Sequence, residues 1–173
     1  MSASLSRRQP GFTLAEMMLV VAIIGILSAF AVPAMQSMIR TQQVKTISFD
    51  IFASLSLARS EALKRNVNVT MTPAAGGWAT GWSVTDANGN VLRVQQYSNS
   101  SARITLDGPA NVVYNASGRL TAGAVPVPFV LTSNDIESAI RDDQERCVML
   151  DLSGRPVSGT GKTTAPHTPG PCP

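Results

Sequence analysis

The chain has little of what enzymes and metal centres are made from. Its 173 residues include one histidine, His167, and two cysteines, Cys147 and Cys172. A tetrahedral zinc site needs four Cys, His or carboxylate ligands, and one imidazole with two thiols does not complete the set unaided. The sole histidine also lies in a Gly/Pro/Thr-rich C-terminal stretch, which offers no fixed base for a Ser-His-Asp group. Gly159-Thr-Gly-Lys-Thr163 lacks the glycine that a phosphate loop requires five residues before Gly161, where Pro156 stands, and prolines follow where a helix should begin. No cofactor is expected. Charge is scarce too: 14% of residues are charged and 5% aromatic, with a net charge of +3.

The largest gap in charge runs from Met17 to Ile39, 23 residues without one ionisable side chain. As a helix such a stretch spans roughly 34 Å, against a hydrocarbon core of about 30 Å. Arg7 and Arg8 precede it and keep the short leader cytoplasmic by the positive-inside bias. Glu16 stands alone at the start of the apolar run. An ionised carboxylate in hydrocarbon costs several kcal/mol unless it is partnered, which makes such a residue a functional site by default. Nothing cationic lies between Glu16 and Arg40, so its partner is expected on a neighbouring chain. A cleaved secretory signal ending at Ala29–Ala31 is the alternative. Against it, the apolar stretch exceeds a usual h-region and grades into an amphipathic helix. A twin-arginine signal fails because Gln9-Pro10-Gly11 follows the arginines. Pro33 should kink or loosen the helix, and Gly25 is a second soft point.

Ser6-Arg-Arg-Gln-Pro-Gly-Phe-Thr-Leu-Ala-Glu16, with the apolar run that follows, resembles the class III signal and transmembrane helix of type IV prepilins. The resemblance implies cleavage between Gly11 and Phe12 by a prepilin peptidase and N-methylation of Phe12. Glu16 would then neutralise the new amine of an adjacent subunit, since opposite charges attract strongly at low dielectric. Loss of Arg7 and Arg8 with the leader would leave a side-chain charge of +1, so the pI near 9.2 overstates affinity for polyanions. In an exported domain the two cysteines are expected to form one disulfide, Cys147–Cys172, worth ~3–4 kcal/mol in the chain-entropy account.

From Ala34 to about Asn66 apolar residues recur at helical spacing: Val44, Ile47, Ile51, Leu55, Ala58 and Ala62, with Phe52 and Leu63 broadening the stripe. Core packing against a sheet is the expected role. Glu61 and Arg65 are spaced for an i,i+4 pair. Beyond Asn66 the period becomes two: Val67, Val69 and Met71, then Trp82 and Val84, then Val91 to Tyr97 across the Asn88-Gly89 hairpin signal. Further strands are expected near Arg103–Leu106, Asn111–Tyr114, Val127–Leu131 and Arg146–Leu152, punctuated by Gly108-Pro109 and Ser117-Gly118. No internal repeat is evident. A long helix followed only by strands indicates an α+β fold with the helix laid on antiparallel sheet.

Ala58-Arg-Ser-Glu-Ala-Leu-Lys-Arg65 with Val67, then Trp78 and Gly81-Trp82, then Arg146-Cys-Val-Met-Leu-Asp-Leu-Ser-Gly-Arg155 resemble the GspH/FimT branch of minor pilins and pseudopilins. The resemblance implies the pilin fold. The expected organisation is a leader (1–11), a transmembrane helix segment (12–39), and a periplasmic head (40–158) with an amphipathic helix (40–66) and β-domain (67–158). A Gly/Pro/Thr-rich tail (159–173) would be tethered by the disulfide, since its composition buries too little to order itself.

Some members of that branch look like DNA receptors with a C-terminal Gly-Arg-x-Arg stretch. Gly154-Arg155-Pro156-Val157 keeps only the first arginine, and Arg155 and Lys162 are the charged side chains from Leu152 onward. Two phosphate contacts give weak, mildly salt-dependent binding, which several copies strengthen by avidity. Trp78 and Trp82 are candidates for base stacking, with core packing the favoured role. Asp142, Asp143 and Glu145 form an acidic cluster near Arg141 and Arg146, read as a solvated loop. The expected function is non-enzymatic: a minor pilin of the FimU/FimT type, anchored in the inner membrane with a periplasmic domain. It would join a pilus tip or priming complex beside other minor and major pilins. The rivals are an H-type pseudopilin of type II secretion and a DNA-uptake receptor.

Overall fold

A computed structural model describes residues 11–97, 104–121, 128–133, 146–151 and 153–160. It divides into two compact units, residues 1–39 and 40–173. One helix, α1 (Leu14–Arg65), is followed by eight strands: β1 (Val69–Ala74), β2 (Gly77–Asp86), β3 (Val91–Gln96), β4 (Ile104–Asp107), β5 (Val112–Tyr114), β6 (Phe129–Ser133), β7 (Arg146–Leu150) and β8 (Pro156–Thr160). Helix α1 is assigned without a break through Pro33, so the proline does not end it. Its last turn carries Lys64 and Arg65, as the negative helix terminus favours. Asn66 follows at φ 55°, the left-handed conformation that Asn tolerates and that terminates helices.

The strands form two antiparallel sheets of four, ordered β3-β2-β1-β5 and β4-β6-β7-β8. The helical stripe reads true: Val44, Ile47, Ile51, Leu55, Ala58 and Ala62 are all buried. They join one core with Val69, Met71 and Val84 of the first sheet and Ile104, Phe129, Leu131 and Val148 of the second. Each fully buried large aliphatic contributes about 1.5–3 kcal/mol. Leu63 does not extend the stripe; it is exposed and lies against Gly118 instead.

Both tryptophans belong to the core. Trp82 Nε1 donates to the buried Ser54 Oγ at 2.9 Å, and that hydroxyl donates to the Asp50 carbonyl at 2.7 Å, so no polar atom of the pair is stranded. Trp78 Nε1 donates to the Pro109 carbonyl at 2.7 Å, and its ring meets Phe129 edge-on at 4.9 Å. Base stacking by either residue would require unpacking the core.

The structure also contains a repeat that the one-dimensional reading does not find. Asp86-Ala-Asn-Gly-Asn90, Asn115-Ala-Ser-Gly-Arg119 and Asp151-Leu-Ser-Gly-Arg155 are three copies of one five-residue loop. In each, the first residue's amide donates to the fifth residue's carbonyl and the glycine amide donates back to the first residue's carbonyl. The first residue's side-chain oxygen accepts the fifth residue's amide in all three. The glycines sit at φ 83°, 68° and 78°, where a side chain would be strained. The third copy turns β7 into β8, a strand that extends to Thr160 inside the stretch expected to be loose tail. Strand pairing to β7 orders those polar residues in spite of their composition.

Candidate functional site

The N-terminal site begins with the helix start. Thr13 and Glu16 form a reciprocal capping box. The Glu16 amide donates to Thr13 Oγ1 at 3.2 Å, while Glu16 Oε2 accepts from the Thr13 amide at 3.1 Å and its hydroxyl at 3.2 Å. Two of the orphan donors at the helix N-terminus are satisfied this way, and the acid adds favourable charge at the positive end of the helix dipole. The Thr-x-x-Glu spacing is plain in the sequence, yet the charge argument alone passes it over. Gly11 and Phe12 precede the box, and Phe12 is exposed.

The apolar segment Leu14–Val32 has 19 residues at mean hydropathy 2.4, long and apolar enough to cross a membrane by length and composition, and none of it is buried. Ser28 is its one hydroxyl, and Ser28 Oγ donates to the Ile24 carbonyl at 2.7 Å. A polar group satisfied within its own helix can lie in an apolar medium at small cost.

The remaining candidates lie in the β-rich unit. Arg155 is exposed immediately before β8. Its amide donates to Asp151 Oδ1 at 2.8 Å, and bonds from Ser153 first, then the Arg155 backbone, hold the Asp151 carboxyl below its ordinary value. Cys147 is buried on β7; Cys172 and Lys162, like His167 and the Asp142, Asp143 and Glu145 cluster, lie outside the described residues. Among the described residues no group of three His, Cys, Asp or Glu is placed to hold a metal ion.

The β2–β3 loop is fastened to the helix end. Buried Asp86 accepts from the Asn88 amide, the Asn90 amide and Asn90 Nδ2, each at 2.9 Å, and from Arg65 at 3.2 Å. Arg65 also meets Glu61 at 2.6 Å, the expected i,i+4 pair. The Asn90 side-chain bond above all holds the Asp86 carboxyl below its usual range.

An apolar N-terminal helix opened by a lone carboxylate, with a domain of antiparallel sheets following it, defines the pilin class. Type IV minor pilin FimU of Pseudomonas aeruginosa PAO1, in its P21 crystal form, superposes with a TM-score of 0.57 at 20% identity, covering 73% of this chain and 95% of that one. The P65 form gives 0.55 at 20% identity, with 72% and 98% covered. A family model described as Type II transport protein GspH matches residues 50–154, well over half of the sequence. The chain belongs to this family. A second model, the prokaryotic N-terminal methylation motif, matches residues 6–32, which include Gly11, Phe12 and Glu16.

Similarity to major pilins is short and N-terminal. The type IV major alpha-pilin of Moraxella bovis is 51% identical over 45 residues, 26% of this chain and 28% of the relative. Type IV major fimbrial protein FimA of Dichelobacter nodosus is 64% identical over 36 residues, 21% and 22% respectively. The chain thus spans about a quarter of the length of these curated relatives.

Proposed function

We propose that this protein is a minor pilin that enters a type IV pilus through its N-terminal helix, in the tip or priming complex. It acts by assembly rather than catalysis. In this reading a prepilin peptidase cuts between Gly11 and Phe12, Phe12 is methylated, and the helix waits in the inner membrane with the β-domain in the periplasm. Glu16 then meets the freed amine of an adjacent subunit, and Leu14–Val32 packs among like helices.

The supporting observation is the exposed apolar face itself. Every described side chain from Leu14 to Val32 is open to its surroundings, and water is a poor solvent for so much apolar surface. Lipid and then neighbouring helices are the covers that the family resemblance supplies. The test is Glu16→Ala: the chain should still be shortened to begin at Phe12, by intact mass, yet be missing from sheared pili. Normal incorporation would defeat the proposed role.

The description of the matching family favours a second reading, an H-type pseudopilin of type II secretion. Deleting the gene separates the two. Loss of pili and twitching supports the first, while secreted enzymes retained in the periplasm support the second. A DNA-uptake role would rest on Arg155 and Lys162 without help from either tryptophan. A gel shift abolished by Arg155→Ala and Lys162→Ala would support it. We also propose that Cys147 pairs with Cys172, tethering the tail to β7; two thiols alkylated in exported protein without reductant would refute this.

A further inference from the structure

Two of the three repeated loops touch. A Cβ built on Gly154 would lie 2.9 Å from the Gly118 carbonyl oxygen and 3.5 Å from the Arg119 Cα, so the loops approach backbone to backbone. Each places an arginine directly after its glycine, Arg119 in one and Arg155 in the other, and both are exposed. The matching residue of the remaining loop is Asn90, whose side chain turns inward onto Asp86. Neither arginine side chain makes such an inward hydrogen bond among the described residues.

Helix α1 brings a third cation to the same place. Arg59 Nε donates to the Gly118 carbonyl at 2.9 Å, which fixes one edge of the guanidinium. Arg59 also lines a cleft of about 240 Å³ with Ser56, Ser60, Leu63 and Pro156. Leu63 of that lining is 51% exposed. The acid here, Asp151, is engaged by its own loop: its Oδ1 accepts from the Ser153 hydroxyl at 2.6 Å and the Arg155 amide at 2.8 Å. Beneath the loops Tyr114 is wholly buried, and its hydroxyl has no hydrogen-bond partner among the described residues.

Arginines interleaved with apolar side chains and a small cleft have the make-up of a protein interface, where Arg is enriched and the centre is apolar. A single-stranded nucleic acid would ask for aromatic platforms, and both tryptophans are in the core; a duplex backbone is met by phosphate contacts alone and has no use for the apolar Leu63 and Pro156 of the cleft. We propose that Arg59, Arg119 and Arg155, with Leu63 and Pro156, dock an acidic segment of a neighbouring pilin-like subunit. Carboxylates of that segment pair with the guanidinium forks, which suit bidentate contact, and an apolar side chain enters the cleft. The inference rests on the proposed assembly role and adds to it a contact separate from the N-terminal helix.

A photo-crosslinking residue at Ser60, which lines the cleft and is exposed, placed in the full-length chain and irradiated in cells, tests it in sheared pili. Adducts should map to an Asp- or Glu-bearing segment of another pilin-like subunit. Combined Arg119→Glu and Arg155→Glu should cut their yield about tenfold, as like charges brought together oppose docking. Combined Arg119→Lys and Arg155→Lys should keep most of it, and lysines placed at the mapped acids should restore the yield of the charge-reversed chain. Adducts to DNA, adducts to a segment without acids, or a yield indifferent to charge reversal would overturn the inference alone. Absence of the unsubstituted chain from pili would overturn it together with the assembly role.

Discussion

Two stretches of one helix carry opposite instructions. Between Leu14 and Val32 apolar residues surround the helix and every side chain is exposed. Between Val44 and Ala62 they recur every three or four positions, and those six are buried in the core of the β-rich unit. The first pattern has no preferred face, so it suits a surround that is apolar on all sides. The second has one face, so it suits a single sheet-lined core and leaves the other side polar. Periodicity rather than hydrophobicity separates a segment that seeks lipid or many neighbours from one that completes a fold.

That contrast breaks most sharply at the core. Trp82→Ala should lower the unfolding free energy by about 3–5 kcal/mol in denaturant titration of the full chain in detergent. Ile24→Ala, far more apolar in its setting yet unburied, should change the same transition by less than about 0.5 kcal/mol. Equal effects would erase the distinction between the two stretches. A smaller loss is expected from Gly154→Ala, whose φ of 78° and approach to Gly118 both oppose a side chain; the backbone conformation alone costs about 1–2 kcal/mol.

Acid should act on the β-rich unit through Asp86. Its folded pKa is depressed below the ordinary value by the Asn90 bond and its companions. The stability it contributes is therefore fully present above the unfolded carboxylate range, near 3.9, and is lost as pH falls through the lower folded value. Asp86→Asn should flatten the acid limb of the melting-temperature profile, and an unchanged limb would refute the assignment. A purely local effect belongs to the start of the N-terminal stretch. Thr13→Ala removes a cap worth about 1 kcal/mol, which should speed amide exchange in the first turn while leaving the core transition in place.

Much of this is legible in the sequence. The stripe from Val44 to Ala62, the Asn88-Gly89 hairpin and the Glu61–Arg65 pair follow from spacing, because local geometry dictates them. Strands β4 to β7 lie within a few residues of where spacing and turn residues put them, for the same reason. Leu63 sits at stripe spacing but opposite Gly118, a contact set by tertiary packing. The whole of β8 is absent from the sequence reading, because Pro156, Ser158 and Gly159 have little strand character of their own and are held by β7. At the candidate sites, Glu16 stands out by its isolation, whereas Arg59 and Arg119 acquire meaning only when folding brings their segments beside Arg155.

The capping box has a consequence for genetics. Both Thr13 bonds fall on the same atom of Glu16, Oε2, and its twin oxygen makes none among the described residues. In the proposed assembly the acid is thus two-handed, closing its own first turn with one oxygen and leaving the other for an incoming ammonium. Glutamine would keep the first grip and drop the charge. Glu16→Gln therefore separates winding from joining in a single codon, a division that alanine, which loses both, does not make.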